Sequence, residues 1–416
     1  MAVYPDTDKP QVHPSTYIRI AQLQSSALFP SLRHLYYTLC DSSISHIFLF
    51  LSPLLDSLEF SNIRGFENTI VGPFLANLSS QMLSRIVLYT GRMSVDIFKN
   101  SIVHFQQLRS LELLDAVFMP MSDSDLWEVL GTLPSLENLT LNSFDPSSHP
   151  VHVPVNSNSQ SGGPKYFEAL KSVSITGSSF LIQNLLGFID SPCLKSINVC
   201  PVTNHIRFDH DHEPEDRFTP SVMIVASKWS KSLKNLVIQA CASGAGRYYA
   251  ISKCLMLLTD LHEMETFCLN GWRMENMDDD VRRLVMSWPK LKTLRLPLNQ
   301  AFISLSTLKI IAENCPELRY LRIPLDTSTI PPFDTSSKSL SLRNNLEVLT
   351  GVALVTSHSS QSKQECRIQV ARYLDSIFPY LKSIEVTVEY NNATNNVAWS
   401  GICDLIKLCQ DIRRVK

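Results

Sequence analysis

The chain has 416 residues, 44% of them hydrophobic and 18% charged, with 37 basic against 39 acidic side chains and a net charge of −2. That apolar content excludes wholesale disorder. The balanced charge weighs against bulk electrostatic binding to nucleic acid and leaves only a local basic stripe open.

At the N-terminus, residues 1–28 are polar and punctuated by proline, with no basic segment leading into an apolar core. No secretory signal is read there. The longest apolar run, Ile44 to Leu55, is interrupted by Ser45, His46, Ser52 and Pro53, and is too short to span a bilayer. A cytoplasmic or nuclear protein with no membrane partner is expected. The ten cysteines include no C-x-x-C pair and read as buried small apolar side chains in a reducing compartment.

A six-residue cassette, apolar-x-x-apolar-x-apolar, recurs from Leu32 onward, often with Pro or an aromatic residue two or three positions ahead of it. Further copies open at Leu55, Leu83, Leu108, Leu136, Leu170, Leu194, Leu233, Met264, Leu291, Leu318, Leu346 and Leu381, between 23 and 39 residues apart. A truncated copy, Ile412-Arg-Arg-Val415, closes the chain and reads as a repeat array cut short, with exposed apolar surface at that end.

Alternation at the fourth and sixth cassette positions predicts one short, half-buried strand per copy. Between copies the spacing turns helical. Ser122 and Asp123 lead Leu126, Trp127 and Leu130; Asp278 and Asp279 lead Val281, Leu284 and Val285; Ser304 or Ser306 leads Leu308, Ile311 and Ala312. Such Ser and Asp residues suit helix N-caps, and a Pro just before a cassette ends the helix. One strand and one helix per repeat cannot bury their apolar faces alone. Stacking repeats solves this. The expected fold is an α/β right-handed solenoid or horseshoe of 13–14 irregular repeats over residues 29–416. Its parallel strands line the concave face and its helices the convex one, and residues 1–28 form a weak cap.

The residues resemble a leucine-rich-repeat protein over nearly the whole chain. The ninth repeat position, where that family places Asn or Cys, matches at Cys40, Cys241 and Asn299 but not at Phe144, Val202, Trp272 or Asp326. Runs such as Leu-Pro-Ser-Leu-Glu-Asn-Leu-Thr-Leu and Cys-Pro-Glu-Leu-Arg-Tyr-Leu are similar to the repeat portion of fungal F-box/leucine-rich-repeat proteins. That resemblance implies substrate recognition for a ubiquitin ligase containing a Skp adaptor and a cullin. No Leu-Pro-x-Glu start of an F-box is visible in residues 1–28. A stand-alone scaffold or inhibitor is the alternative.

No catalytic constellation is read. His262-Glu263 lacks the second His of a zinc-protease motif, and Gly244 and Gly246 are followed by Tyr249 where a dinucleotide fingerprint needs a third Gly. Neither an enzyme nor a cofactor is expected. Loop insertions are expected at 142–166, 200–221 and 326–341. The second holds His205, His210 and His212 among carboxylates, ordinary ligand types for a divalent metal but equally a solvated acidic loop.

Solenoids bind partners on their concave faces, so the third and fifth cassette positions are the candidate protein-binding residues. They include Tyr36, Glu59, Arg85 and Glu112 toward the N-terminus, and Thr293, Arg295, Tyr320 and Arg322 toward the C-terminus. Arg and Tyr are frequent interface hot spots. Second positions are basic in eight copies, including Lys171, Lys234, Lys292 and Lys382, and stacking them suggests a positive ridge broken by Asp56, Glu137, Glu265 and Glu347.

Overall fold

The computed structural model describes residues 28–38, 44–62, 71–78, 82–89, 92–93, 101–115, 117–118, 123–142, 166–202, 214–239, 252–272, 276–298, 302–332, 344–351, 360–385 and 393–415, with positions 23 and 274. The chain forms two compact units, Met1–Asn204 and His205–Lys416.

In the first unit the described sheet strands are β1 (His34–Thr38), β2 (Ser57–Ser61), β3 (Arg85–Tyr89), β5 (Ser110–Leu114), β7 (Asn138–Asn142), β8 (Ser172–Gly177) and β9 (Ser196–Pro201). They pair in that order and every pair is parallel. A separate parallel pair joins β4 (Arg92–Met93) to β6 (Val117–Phe118). In the second unit the strands β10 (Asn235–Gln239), β11 (Thr266–Asn270), β12 (Thr293–Arg295), β14 (Tyr320–Arg322), β16 (Val348–Thr350) and β17 (Ser383–Glu385) also pair in parallel. There β13 (Ile303–Ser304) pairs with β15 (Leu325–Asp326).

Every strand of the two ladders begins at the third position of a cassette. The register comes from a repeated backbone fork. Within each unit the second-position carbonyl accepts from two N–H groups of the repeat that follows it: Asp56 and Ser57 donate to the Arg33 carbonyl at 2.8 and 3.0 Å, and Lys292 and Thr293 to that of Glu265 at 2.7 and 3.0 Å. Cassette positions one, four and six then stack into the core. Leu136, Leu139 and Leu141 are buried, as are Leu318, Leu321 and Ile323, each side chain contributing about 1.5–3 kcal/mol. Helices cover the buried face; Ser179–Phe188, for example, packs on β8 and β9. Parallel strands linked by helical segments at most of the described connections give the α/β architecture of a leucine-rich-repeat solenoid.

The residue three places ahead of the cassette closes the turn into the strand. Phe105, Phe167, Trp288 and Phe378 are buried there, and their carbonyls accept from Leu108, Leu170, Leu291 and Leu381 N–H at 3.0–3.2 Å. Where Pro follows, the helix ends as expected: Trp288 (φ −119°) and Cys315 (φ −118°) leave helical geometry just before Pro289 and Pro316. Trp288 donates from Nε1 to the Leu258 carbonyl at 3.1 Å and packs 5.0 Å from the Phe267 ring.

Several expectations are corrected. Ile412 to Val415 is no truncated strand cassette; it lies in the helix Ala393–Val415. Among the described side chains of that helix Ile402 and Ile406, one helical turn apart, are buried, while Leu408 and Ile412 face out. The insertion placed at 200–221 is not wholly loop, because the helix Pro214–Trp229 begins inside it and buries Phe218. Asp278 is not an N-cap. It sits in the first turn of the helix Met277–Ser287, and Asn276 occupies the cap position. Its carboxylate instead accepts from Ser304 N and Oγ at 2.9–3.1 Å and from Arg282 at 3.0 Å, bridging consecutive repeats. Ser304 does cap its helix, accepting from Thr307 N at 3.3 Å.

Cysteine burial is mixed. Cys254, Cys268 and Cys315 are buried, Cys200, Cys366, Cys403 and Cys409 are half-buried, and Cys193 is exposed. In three repeats a backbone constraint falls one residue before the ninth position. Asn62, Asp115 and Gly271 all occupy the eighth position with φ of 55°, 55° and 76°, a left-handed exit from the strand that Asn, Asp and Gly tolerate best.

Candidate partner-binding face

Successive strand side chains point to opposite faces, so burying positions four and six leaves three, five and seven on the open face of each sheet. All eight candidate residues lie there. The parallel register lines up Tyr36, Glu59, Val87 and Glu112 across β1, β2, β3 and β5. Tyr36 is 42% exposed. Arg85 donates to Glu112 from Nη2 at 2.9 Å and from Nε at 3.3 Å, so these two largely neutralise each other on the face.

Tyr89 joins this patch although the cassette reading, which stops at position six, omits it. Burial, followed by the neighbouring Glu59, Tyr36 and Glu112, pushes its phenol above the ordinary value, with Arg85 opposing. The first unit therefore presents an acidic and aromatic patch.

In the second unit Thr293 stands beside Tyr320, and Arg295 beside Arg322, across β12 and β14. The Arg295 guanidinium lies 4.5 Å from the Tyr320 ring centroid. Tyr320 in turn accepts at its hydroxyl from Thr350 Oγ1 at 3.2 Å, which orients the ring. Cys268 adjoins Arg295 on β11. Burial raises its thiol pKa, while Arg295 and Arg322 pull the other way. Neither arginine has a carboxylate partner among the described residues. The Arg322 Nε is buried without a hydrogen-bond acceptor. Glu385, the carboxylate in the same row, is two strands from Arg322, or about 10 Å by strand spacing.

Four of the second-position lysines pair with a Glu of an adjoining repeat, which interrupts the expected positive ridge. Lys171 pairs with Glu137 at 2.9 Å, Lys382 with Glu347 at 2.7 Å, and Lys234 and Lys292 both reach Glu265 at 2.6 Å. Hydrogen bonds from these lysines hold the Glu137, Glu265 and Glu347 carboxyls below the usual range. At these four lysines the charge is met by the neighbouring repeat.

His205, His210 and His212, like Gly244 and Gly246, lie outside the described residues. Among the described residues no three His, Cys, Asp or Glu side chains converge as a metal site, and no helix is long and apolar enough to cross a membrane. His262 is held by its Nδ1 against the Ser287 carbonyl at 3.2 Å, and Met264 is core.

No known family model matches the sequence, and neither does any curated protein. Among solved structures the chain is similar to a leucine-rich-repeat protein of Leptospira interrogans, at 14% identity and a TM-score of 0.38, covering 87% of this chain and 86% of that one. A Bacteroides fragilis protein is similar at 13% identity and a TM-score of 0.34, covering 74% of this chain and 66% of that one.

Proposed function

We propose that the protein is a non-catalytic recognition module that binds a protein partner on the open faces of its parallel sheets. The observation that carries this reading is the Arg295–Arg322 pair. Four of the eight basic side chains at position two are tied up by a carboxylate from an adjoining repeat, whereas these two neighbours, on the open face, are not. Charged groups without an internal partner, set beside an aromatic ring on a rigid sheet, suit an interface centre.

The experiment is affinity capture from the native cell with the tagged chain, compared with two open-face variants, Tyr36→Ser/Glu59→Gln in the first unit and Arg295→Gln/Arg322→Gln in the second. A partner lost with either variant supports the reading. A partner set unchanged by both removes it.

By resemblance to fungal F-box/leucine-rich-repeat proteins, the proposed cellular setting is substrate recognition for a Skp–cullin ubiquitin ligase. The same capture tests it. Reproducible partners without a Skp adaptor or cullin favour a stand-alone scaffold or inhibitor.

A further inference from the structure

The geometry points to an acidic segment of the partner as the occupant of the second unit's open face: we infer that Arg295 and Arg322 each receive a side-chain carboxylate of an extended peptide. This rests on the recognition reading above and adds the chemical class of what is recognised.

The charge pattern selects the class. Arg295 and Arg322 occupy equivalent positions on adjacent parallel strands, about 5 Å apart at the backbone. Two like charges held this close repel each other, and among the described residues no carboxylate relieves them. Elsewhere in the same unit Glu265 stands between Lys234 and Lys292 and pairs with both. The missing acid on the open face is supplied by the partner.

The hydrogen-bonding geometry selects carboxylates. Arg322 turns its Nε into the protein, which leaves the two Nη groups to receive a ligand end-on. Tyr320 covers Arg295 from one side at 4.5 Å, so its fork is offered edgewise. A planar fork presented in this way matches a planar carboxylate in a two-point contact. Alternate residues of an extended segment lie about 6.6 Å apart on one side, close enough to the strand spacing for two acidic side chains to reach two neighbouring arginines. Thr293 and the Tyr320 ring flank the pair and give the segment's intervening atoms a surface to lie on.

The test uses the full chain and a fluorescein-labelled Gly-Ser-Asp-Glu-Asp-Glu-Ser-Gly peptide, read by anisotropy. The amide peptide with Asn and Gln in place of Asp and Glu is expected to bind at least about 10-fold more weakly, the size of effect that losing a charge-assisted contact produces. Arg295→Gln/Arg322→Gln is expected to cost a similar factor, while Lys382→Gln, on the rim ladder, leaves affinity within about 2-fold. Arg295→Lys/Arg322→Lys keeps the charge without the fork and falls between. Circular dichroism melting checks that each variant is folded.

Equal binding of the acidic and amide peptides overturns the inference, as does indifference to both arginine variants. A phosphoserine peptide binding about 10-fold tighter than the acidic one also overturns it, by assigning the pair to phosphate. If the captured partner is lost on open-face substitution yet the acidic peptide fails to compete for it, the inference falls and the recognition reading stands.

Discussion

The guanidinium of Arg295 lies 4.5 Å from the ring centroid of Tyr320, a residue 25 positions later in the chain and one strand away in the sheet. The two side chains meet because the backbone fork between repeats keeps β12 and β14 in register. Tyr320 is therefore a positioning residue for the proposed carboxylate site. Replacing it with Leu keeps apolar bulk but removes the cation–π contact, worth about 0.5–1 kcal/mol at an exposed position. Acidic-peptide affinity should drop about 2- to 5-fold with little change in melting temperature, whereas Tyr320→Phe, which retains the ring but loses the hydroxyl that Thr350 engages, should fall by no more than about 2-fold.

Glu265 links Lys234 and Lys292 along the rim of the second unit, and hydrogen bonds from Lys234 and then Lys292 depress its carboxyl pKa below the ordinary 4.5. A depressed carboxyl contributes stability that is present above the unfolded pKa and is lost as pH falls through the folded one. The urea midpoint of the wild type should therefore decline as pH drops below about 4.5, and Glu265→Gln should flatten that decline. Because the ladder is solvated, 1 M salt should shrink the difference between the two proteins.

Two glycines should respond to alanine with opposite signs. Gly351 has φ of +85°, and a Cβ there would come 2.5 Å from Leu298 Cδ2. Gly351→Ala should destabilise by about 1–3 kcal/mol. Gly187 lies in the helix Ser179–Phe188 with no atom within 4 Å of the Cβ position, so Gly187→Ala should stabilise by about 0.5–1 kcal/mol. Urea denaturation of both variants reads the comparison directly.

Thiol reactivity should follow burial. Cys193 is exposed, whereas burial pushes the Cys315 thiol up to about 12 and its Sγ sits against the Val285 and Trp288 carbonyls. Iodoacetamide at pH 8 should label Cys193 within minutes and leave Cys315 unmodified until the chain is unfolded in urea, as peptide mass spectrometry would show.

The repeats, the place where each strand starts and the apolar stack beneath it were legible in the chain. The same was true of which residues line the open face. These properties follow from local alternation and from the turn residues ahead of each cassette, such as Trp288-Pro289 and Cys315-Pro316, whose conformational limits act within a few residues. The C-terminal misreading has a local cause too. Ile412-Arg-Arg-Val415 matches the first four positions of a strand cassette, but Ile402 and Ile406 upstream set a helical period that runs through it.

Electrostatic partnership was a tertiary outcome. Basic second positions suggested a ridge. Once parallel pairing set Lys234, Glu265 and Lys292 side by side, they became a ladder with its charge satisfied. The same pairing placed Glu112 within reach of Arg85 and left Arg295 and Arg322 without an acid among the described residues. Which charges cancel depends on neighbours roughly one repeat apart in sequence, and at about 5 Å between strands one change of register exchanges an attraction for a repulsion.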